Sequence, residues 1–319
     1  MSVNILEHDA VVGDKNTLEK GIDYLCLLLG KWIQKYELYN KQILIIYGSS
    51  LGTISLKDVL NGSQAYMALP LALRNRLSND YPDFKYQELK LTNTCISSLD
   101  SLQNAKLYLD NRIFEYVIIV AYDFVSDFII AGLNSMNLIS SKQQIKSFST
   151  SQDGIVLSCG IGALLLNNNE KKSCIVSSVA IINDSIGLAS IEMRQRGLRK
   201  AIKLSLRSAN ILTKSVDYAL CSCNGEIKAE HAMIEAIKNC GISERAICCI
   251  KRKHALGASG IIEIDSFLKC FDSNQIQSYL NFYKFDCTQG IDSGKTCKIL
   301  LVGVGFGGVN GAAVLELSK

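Results

Sequence analysis

Apolar and polar positions alternate along this chain in two recurring patterns. Short unbroken apolar runs end in small or turn-forming residues. Residues 42–47 stop at Gly48, Ser49 and Ser50, and residues 116–121 form a second such run. Runs of this length read as strands buried on both faces. Residues 18–39 and 98–110 instead space their apolar side chains at helical intervals. Residues 154–166 are apolar and broken by glycine, which predicts two short strands and a tight turn. After a polar break over 167–172 the alternation restarts. Strands are expected at 174–182, 218–221, 246–250, 298–304 and 312–317, and helices at 198–213, 229–239 and 258–270. The chain therefore reads as α/β, in two successive halves, 1–172 and 173–319, with mostly parallel sheets covered by helices.

Composition narrows the class. Of 319 residues 48% are hydrophobic and 20% charged, enough apolar surface for a large core and too much for a disordered chain. The net charge of +4 is small, so nucleic acid and an anionic membrane are not expected as main partners. The concentrated basic stretch is Lys251, Arg252 and Lys253, which reads as a solvated loop or a landing point for an acidic carrier. Twelve cysteines are scattered, and residues 1–10 lack the basic start and apolar run of a signal peptide. This points to a reducing, cytoplasmic setting with buried thiols. No uncharged apolar stretch reaches 18 residues, so no membrane-spanning helix is expected. Cys221/Cys223 and Cys248/Cys249 lack the two-residue spacer common in structural zinc sites, and neither metal nor cofactor is expected.

Three segments can carry chemistry. Cys95, in Asn93-Thr94-Cys95-Ile96-Ser97-Ser98, follows a strand-like stretch (89–91) and opens a helix, where the dipole and backbone N–H groups favour thiolate. Residues 302–311 form a glycine-rich segment (Val304, Gly305, Phe306, Gly307, Gly308) that lets backbone N–H donors approach a reacting group. By itself it reads equally as a tight hairpin or a phosphate cradle. His254 lies in a loop before the small-residue run Leu256-Gly257-Ala258-Ser259-Gly260. Of the other histidines, His231 reads as a helix-surface residue and His8 lies in the N-terminal tail.

Together these motifs resemble the elongating β-ketoacyl-acyl-carrier-protein synthases, the condensing enzymes with the thiolase-like fold. Residues 93–98 resemble the nucleophile motif T-A-C-x-S-S, residues 116–123 the following strand, and residues 153–164 the segment D-G-F-V-x-G-E-G-A-G, with Ile155 in the acyl pocket. His254 with 256–260 resembles G-H-x-x-G-A-S-G, and residues 305–310 resemble G-F-G-G-T-N, Phe306 matching its gating phenylalanine. The resemblance implies two similar βαβα halves in a layered α/β/α/β/α core. It also implies acylation of Cys95 from acyl carrier protein, with an oxyanion held by the N–H groups of Cys95 and Phe306, and a two-fold near residues 116–121, whose apolar composition fits burial in an interface and an internal central strand equally.

The sequence also departs from that pattern. Ser222 stands where the family has its first catalytic histidine, and Cys249 where it has a lysine. Val304 replaces a frequent phenylalanine, the two glycines after residue 121 are missing, and the N-terminal region is short, with its first strand missing or replaced by residues 1–12. Serine donates a neutral hydrogen bond but cannot supply the charge of an imidazolium. Two expectations follow. One is an acyltransferase of fatty-acid or polyketide synthesis that loads Cys95, with His254 as donor or base and decarboxylative condensation impaired. The other is a non-catalytic, chain-length-factor-like subunit. Either is expected as a homodimer or as a heterodimer with a complete ketosynthase.

Overall fold

The structure is a computed structural model that describes residues 2–13, 18–62, 67–170, 172–185, 191–250, 253–284 and 295–318. Its first half runs β1 (Val3–Gly13), α1 (Leu18–Lys35), β2 (Ile43–Gly48), α2 (Leu56–Asn61), α3 (Ala68–Asp80), β3 (Gln87–Leu91), α4 (Ser97–Asp110), β4 (Tyr116–Asp123), α5 (Asp127–Ser135) and β5 (Cys159–Asn167). The second runs β6 (Cys174–Asn183), α6 (Ile191–Ser208), β7 (Tyr218–Cys221), α7 (Ile227–Asn239), β8 (Ile247–Cys249), α8 (Ser259–Asp272), α9 (Ile276–Tyr279), β9 (Asn281–Phe282), β10 (Cys297–Gly305) and β11 (Val309–Leu317).

The strands join in the order β3-β2-β4-β5-β1-β6-β11-β10-β7-β8-β9. Counting strands within each half and setting aside the short β9, both halves have the order 3-2-4-5-1. They meet where β1 and β6 share only two residue pairs, Val3↔Val176 and Asn4↔Ile175. Within each half the first strands pair in parallel and the last returns antiparallel.

Side-chain alternation builds the layers. On β2, Ile43, Ile45 and Tyr47 pack outward with α1 and α3, while Leu44 and Ile46 face inward. The inward faces of both sheets close on α4 and α8, whose Leu99, Leu102, Ile261 and Phe267 form a central cluster. On the far side α6 and α7 cover Leu300, Val302, Ala312 and Val314. The result is five layers, helix, sheet, helix, sheet, helix, and the two inner helices are those that follow the third strand of each half.

One sequence expectation changes and two resolve between their stated alternatives. Residues 154–166 hold one strand, β5, preceded by an irregular segment that bridges Ile155 to Ile139 and Leu157 to His254. The first strand is present as β1, paired along β5. The strand over 116–121, β4, is internal, flanked by β2 and β5, and the open sheet edge on this half is β3. An apolar run buried on both faces has the same composition in a sheet centre as at an interface, so periodicity does not separate the two.

Candidate active site

Cys95 occupies the bend between β3 and α4. Thr94 before it is left-handed (φ 51°), a costly conformation for a β-branched residue. The bend is held on several sides. Asn93 N donates to Ser97 Oγ (2.9 Å), Ile96 N to the Asn93 carbonyl (3.3 Å) and Ser97 N to the Thr94 carbonyl (3.2 Å). Ser97 Oγ donates to the Ser49 carbonyl at 3.0 Å, tying the bend to the end of β2.

The glycine-rich segment is the β10–β11 hairpin, closed by Gly305↔Val309, with Gly307 and Gly308 left-handed at φ 81° and 80°. A Cβ at Gly305 would collide with Thr94 Oγ1 and sit 3.6 Å from Cys95 N. Close backbone approach of the hairpin to the bend therefore requires glycine here. Phe306 and Leu256 pack with Cys95 in one apolar cluster, with Ile129 and Leu133 of α5 and the nearby Leu138, Ile139 and Leu157. Ile155 is fastened to that wall, its N–H donating to the Leu138 carbonyl at 2.7 Å. Val304 points elsewhere, packing against the outer cluster under α6 and α7.

His254 is 2% exposed. Its N–H donates to the Val156 carbonyl (2.6 Å), its carbonyl accepts from Ser158 N (2.9 Å), and its Nδ1 bonds Ser259 Oγ at 3.1 Å. Ser98, three residues past the thiol, donates its hydroxyl to the Gly257 carbonyl and accepts from Gly260 N at 3.1 Å. One serine thus joins the start of α4 to the start of α8. The cysteine bend, the glycine hairpin and the turn after His254 are brought together around Leu256, Phe306 and Ser98.

Asp123, at the end of β4, braces this assembly. It accepts from Ser49 Oγ (2.8 Å), Ser50 N, Leu51 N and Gly52 N (each 2.9 Å), and Gly257 N (2.6 Å). Complete burial pushes its carboxyl up to about 6, against the lowering effect of its donors.

The second-half positions differ. Ser222, past the end of β7, donates to Glu263 Oε1 of α8 at 2.8 Å. Glu263 is 1% exposed, so a carboxylate has joined the position that the resemblance assigns to a histidine. Cys249 lies at the end of β8 and shares a hydrogen bond with Cys223. Burial, reinforced by that contact, pushes the Cys223 thiol well above its usual range. No group of three or more ligating side chains forms among the described residues. His231 is exposed on α7, and His8, on β1, pairs with Asp265 at 2.9 Å. Lys251 and Arg252 lie outside the described residues.

Sequence reading missed Glu263, Ser98 and the five donors of Asp123. The signal for Glu263 was present, since a carboxylate in the apolar, small-residue start of α8 needs a polar partner inside the protein.

Residues 75–172, which contain Cys95, match the family model described as beta-ketoacyl synthase, N-terminal domain. No curated protein matches the chain. Among solved structures, a ketosynthase in complex with its chain length factor from Xenorhabdus doucetiae superposes with TM-score 0.76 and 16% identity, over 99% of this chain and 98% of the other. The ketosynthase from module 6 of the bacillaene synthase of Bacillus subtilis gives 0.72 and 14%, over 100% and 72%. The oxazolomycin ketosynthase domain of Streptomyces albus gives 0.68 and 18%, over 89% of this chain; this chain spans only 57% of that one. The chain thus has the thiolase-like fold of the ketosynthases, and its Cys95 bend lies in a segment that matches the beta-ketoacyl synthase N-terminal domain.

Proposed function

We propose that this protein accepts an acyl group on Cys95 from a carrier-bound thioester and does not condense it efficiently. The carrying observation is the approach of the β10–β11 hairpin to the Cys95 bend. In this reading the backbone N–H groups of Cys95 and Phe306 would hold the tetrahedral oxyanion. The balanced step is attack of the Cys95 sulfur on the acyl carbonyl. A carbon–sulfur bond forms, the carbon–sulfur bond to the carrier breaks, and the carrier leaves as its thiol after taking the proton from Cys95.

The Ser222–Glu263 pair argues against decarboxylation. An enolate oxygen needs positive or neutral donors, and the Ser222 hydroxyl is already committed to Glu263 Oε1 at 2.8 Å. Loss of one such donor costs about 2.7–4 kcal/mol in other enzymes, or 10² to 10³ in rate.

The second reading, a chain-length-factor-like partner of a complete ketosynthase, is favoured by a separate observation. The end-to-end match is to a chain from a ketosynthase–chain length factor complex. In a homodimer the partner contact would fall at the open edge of β3. Antiparallel pairing of two β3 strands about Leu89 sets Glu88 opposite Lys90 in both directions, a self-complementary arrangement.

The test is intact-mass analysis after incubation with acylated carrier protein, with Cys95→Ala as control. An acyl mass increment confined to the unaltered protein supports the first reading. No increment, with stable association with a complete ketosynthase, supports the second.

A further inference from the structure

We infer that the outer face of α6 is a docking surface for anionic lipid bilayers. The inference is independent of the chemistry at Cys95. Between Met193 and Val216 the sequence has seven basic residues, Arg194, Arg196, Arg199, Lys200, Lys203, Arg207 and Lys214, and no acidic one. The whole chain carries only +4, so this one segment exceeds the net surplus and the rest is net acidic. Net charge averaged over the chain hides the segment, and helical spacing hides it from a search for consecutive lysines and arginines.

Folding gathers these charges. Arg196, Lys200, Lys203 and Arg207 are exposed, while Leu198, Ala201, Ile202 and Leu206 are buried against the sheet. At about 100° per residue the four cations fall within roughly 60° of the helix circumference, along about 17 Å of axis. None of them is ion-paired among the described residues, although Lys238 on neighbouring α7 is paired with Glu235 and Glu244. Among the described residues the patch is thus an uncompensated stripe.

Two exposed leucines decide the kind of partner. Leu204, 39% exposed, borders the stripe, and Leu212, 78% exposed, follows the helix just before Lys214. Basic side chains beside outward-facing leucines fit a lipid interface, where the cations meet phosphates and the leucines enter the boundary with the acyl chains. Nucleic acid would use the cations and leave the leucines in water. An acidic protein face is the alternative that the test separates.

The experiment is co-sedimentation of the full chain with vesicles of phosphatidylcholine containing about 30% phosphatidylglycerol, against pure phosphatidylcholine vesicles, at low and physiological salt. Binding only to the anionic vesicles, weakened by salt, is expected. Lys200→Ala, Lys203→Ala and Arg207→Ala should each lower the partition coefficient about fivefold. Leu212→Ser should lower binding at high salt, where the charges are screened. All four positions are exposed, and circular dichroism checks that each variant is folded. No binding to anionic vesicles at low salt overturns the proposal, as does binding indifferent to the stripe substitutions. Stripe-dependent binding to a synthetic acidic peptide, without vesicle binding, overturns it in favour of a protein partner.

Discussion

The ends of β3 and β8 occupy matching places in the two halves, and each precedes an inner helix. They have diverged in opposite directions. At the end of β3, Thr94 holds a left-handed bend, glycine lets the hairpin approach and Ser98 pins the helix to its counterpart. At the ends of β7 and β8, the positions that the resemblance gives to histidine and lysine hold Ser222 and Cys249. Those side chains turn to a buried carboxylate and a second thiol. One end keeps the motif that the resemblance gives to an acyl acceptor. The other keeps His254 but holds Ser222 and Cys249 at the two positions that the resemblance gives to a histidine and a lysine. In the proposed reading, retention of one half-site and remodelling of the other separates acyl transfer from condensation.

The comparison can be broken most directly at Cys95. Cys95→Ala should reduce acyl transfer by on the order of 10³-fold or more, with little change in thermal stability. Equal acylation of this variant and the unaltered chain would remove the nucleophile from the account. Next in size is the brace shared by the two ends. Asp123→Asn points an N–H₂ group at backbone N–H donors and should cost roughly 3–5 kcal/mol in denaturant unfolding. The same residue predicts a pH dependence. Its folded-state pKa, about 6, lies above the ordinary aspartate value of 3.8. Its proton uptake therefore favours folding fully below about pH 4, and that contribution is lost as pH rises through 6, about 3 kcal/mol in all. The Asn variant should lack this segment of the stability–pH curve.

Two smaller tests sharpen the contrast. Gly308→Ala forces a side chain into a left-handed position and against Asp184 Oδ1, and should lower stability by about 1–3 kcal/mol while slowing acylation of Cys95. Ser222→His returns an imidazole beside Glu263 and should raise carbon dioxide release from malonyl-carrier about tenfold, leaving acylation within roughly threefold. Efficient release by the unaltered protein would contradict the role given to Ser222.

Much of the layered fold was legible because β2 and β4 are buried on both faces and α4 keeps a steady helical period. The strand β1 was not, since its Glu7, His8 and Asp9 look polar until α8 and Lys35 supply their partners. Leu69, Leu73 and Leu77 of α3 did carry a four-residue spacing that marks a helix. At the site, Cys95, His254 and the hairpin could be read from local motifs. Ser222–Glu263 spans 41 residues and Asp123–Gly257 spans 134, so neither contact leaves a local pattern.

Asp123 draws four of its donors from residues 49–52 and the fifth from Gly257. A chain severed near the polar break at 167–172 would therefore leave the first fragment with an incompletely solvated charge and the second with an idle amide. Despite their internal symmetry, the two parts should melt in a single calorimetric transition, and separately produced fragments should regain order only when mixed.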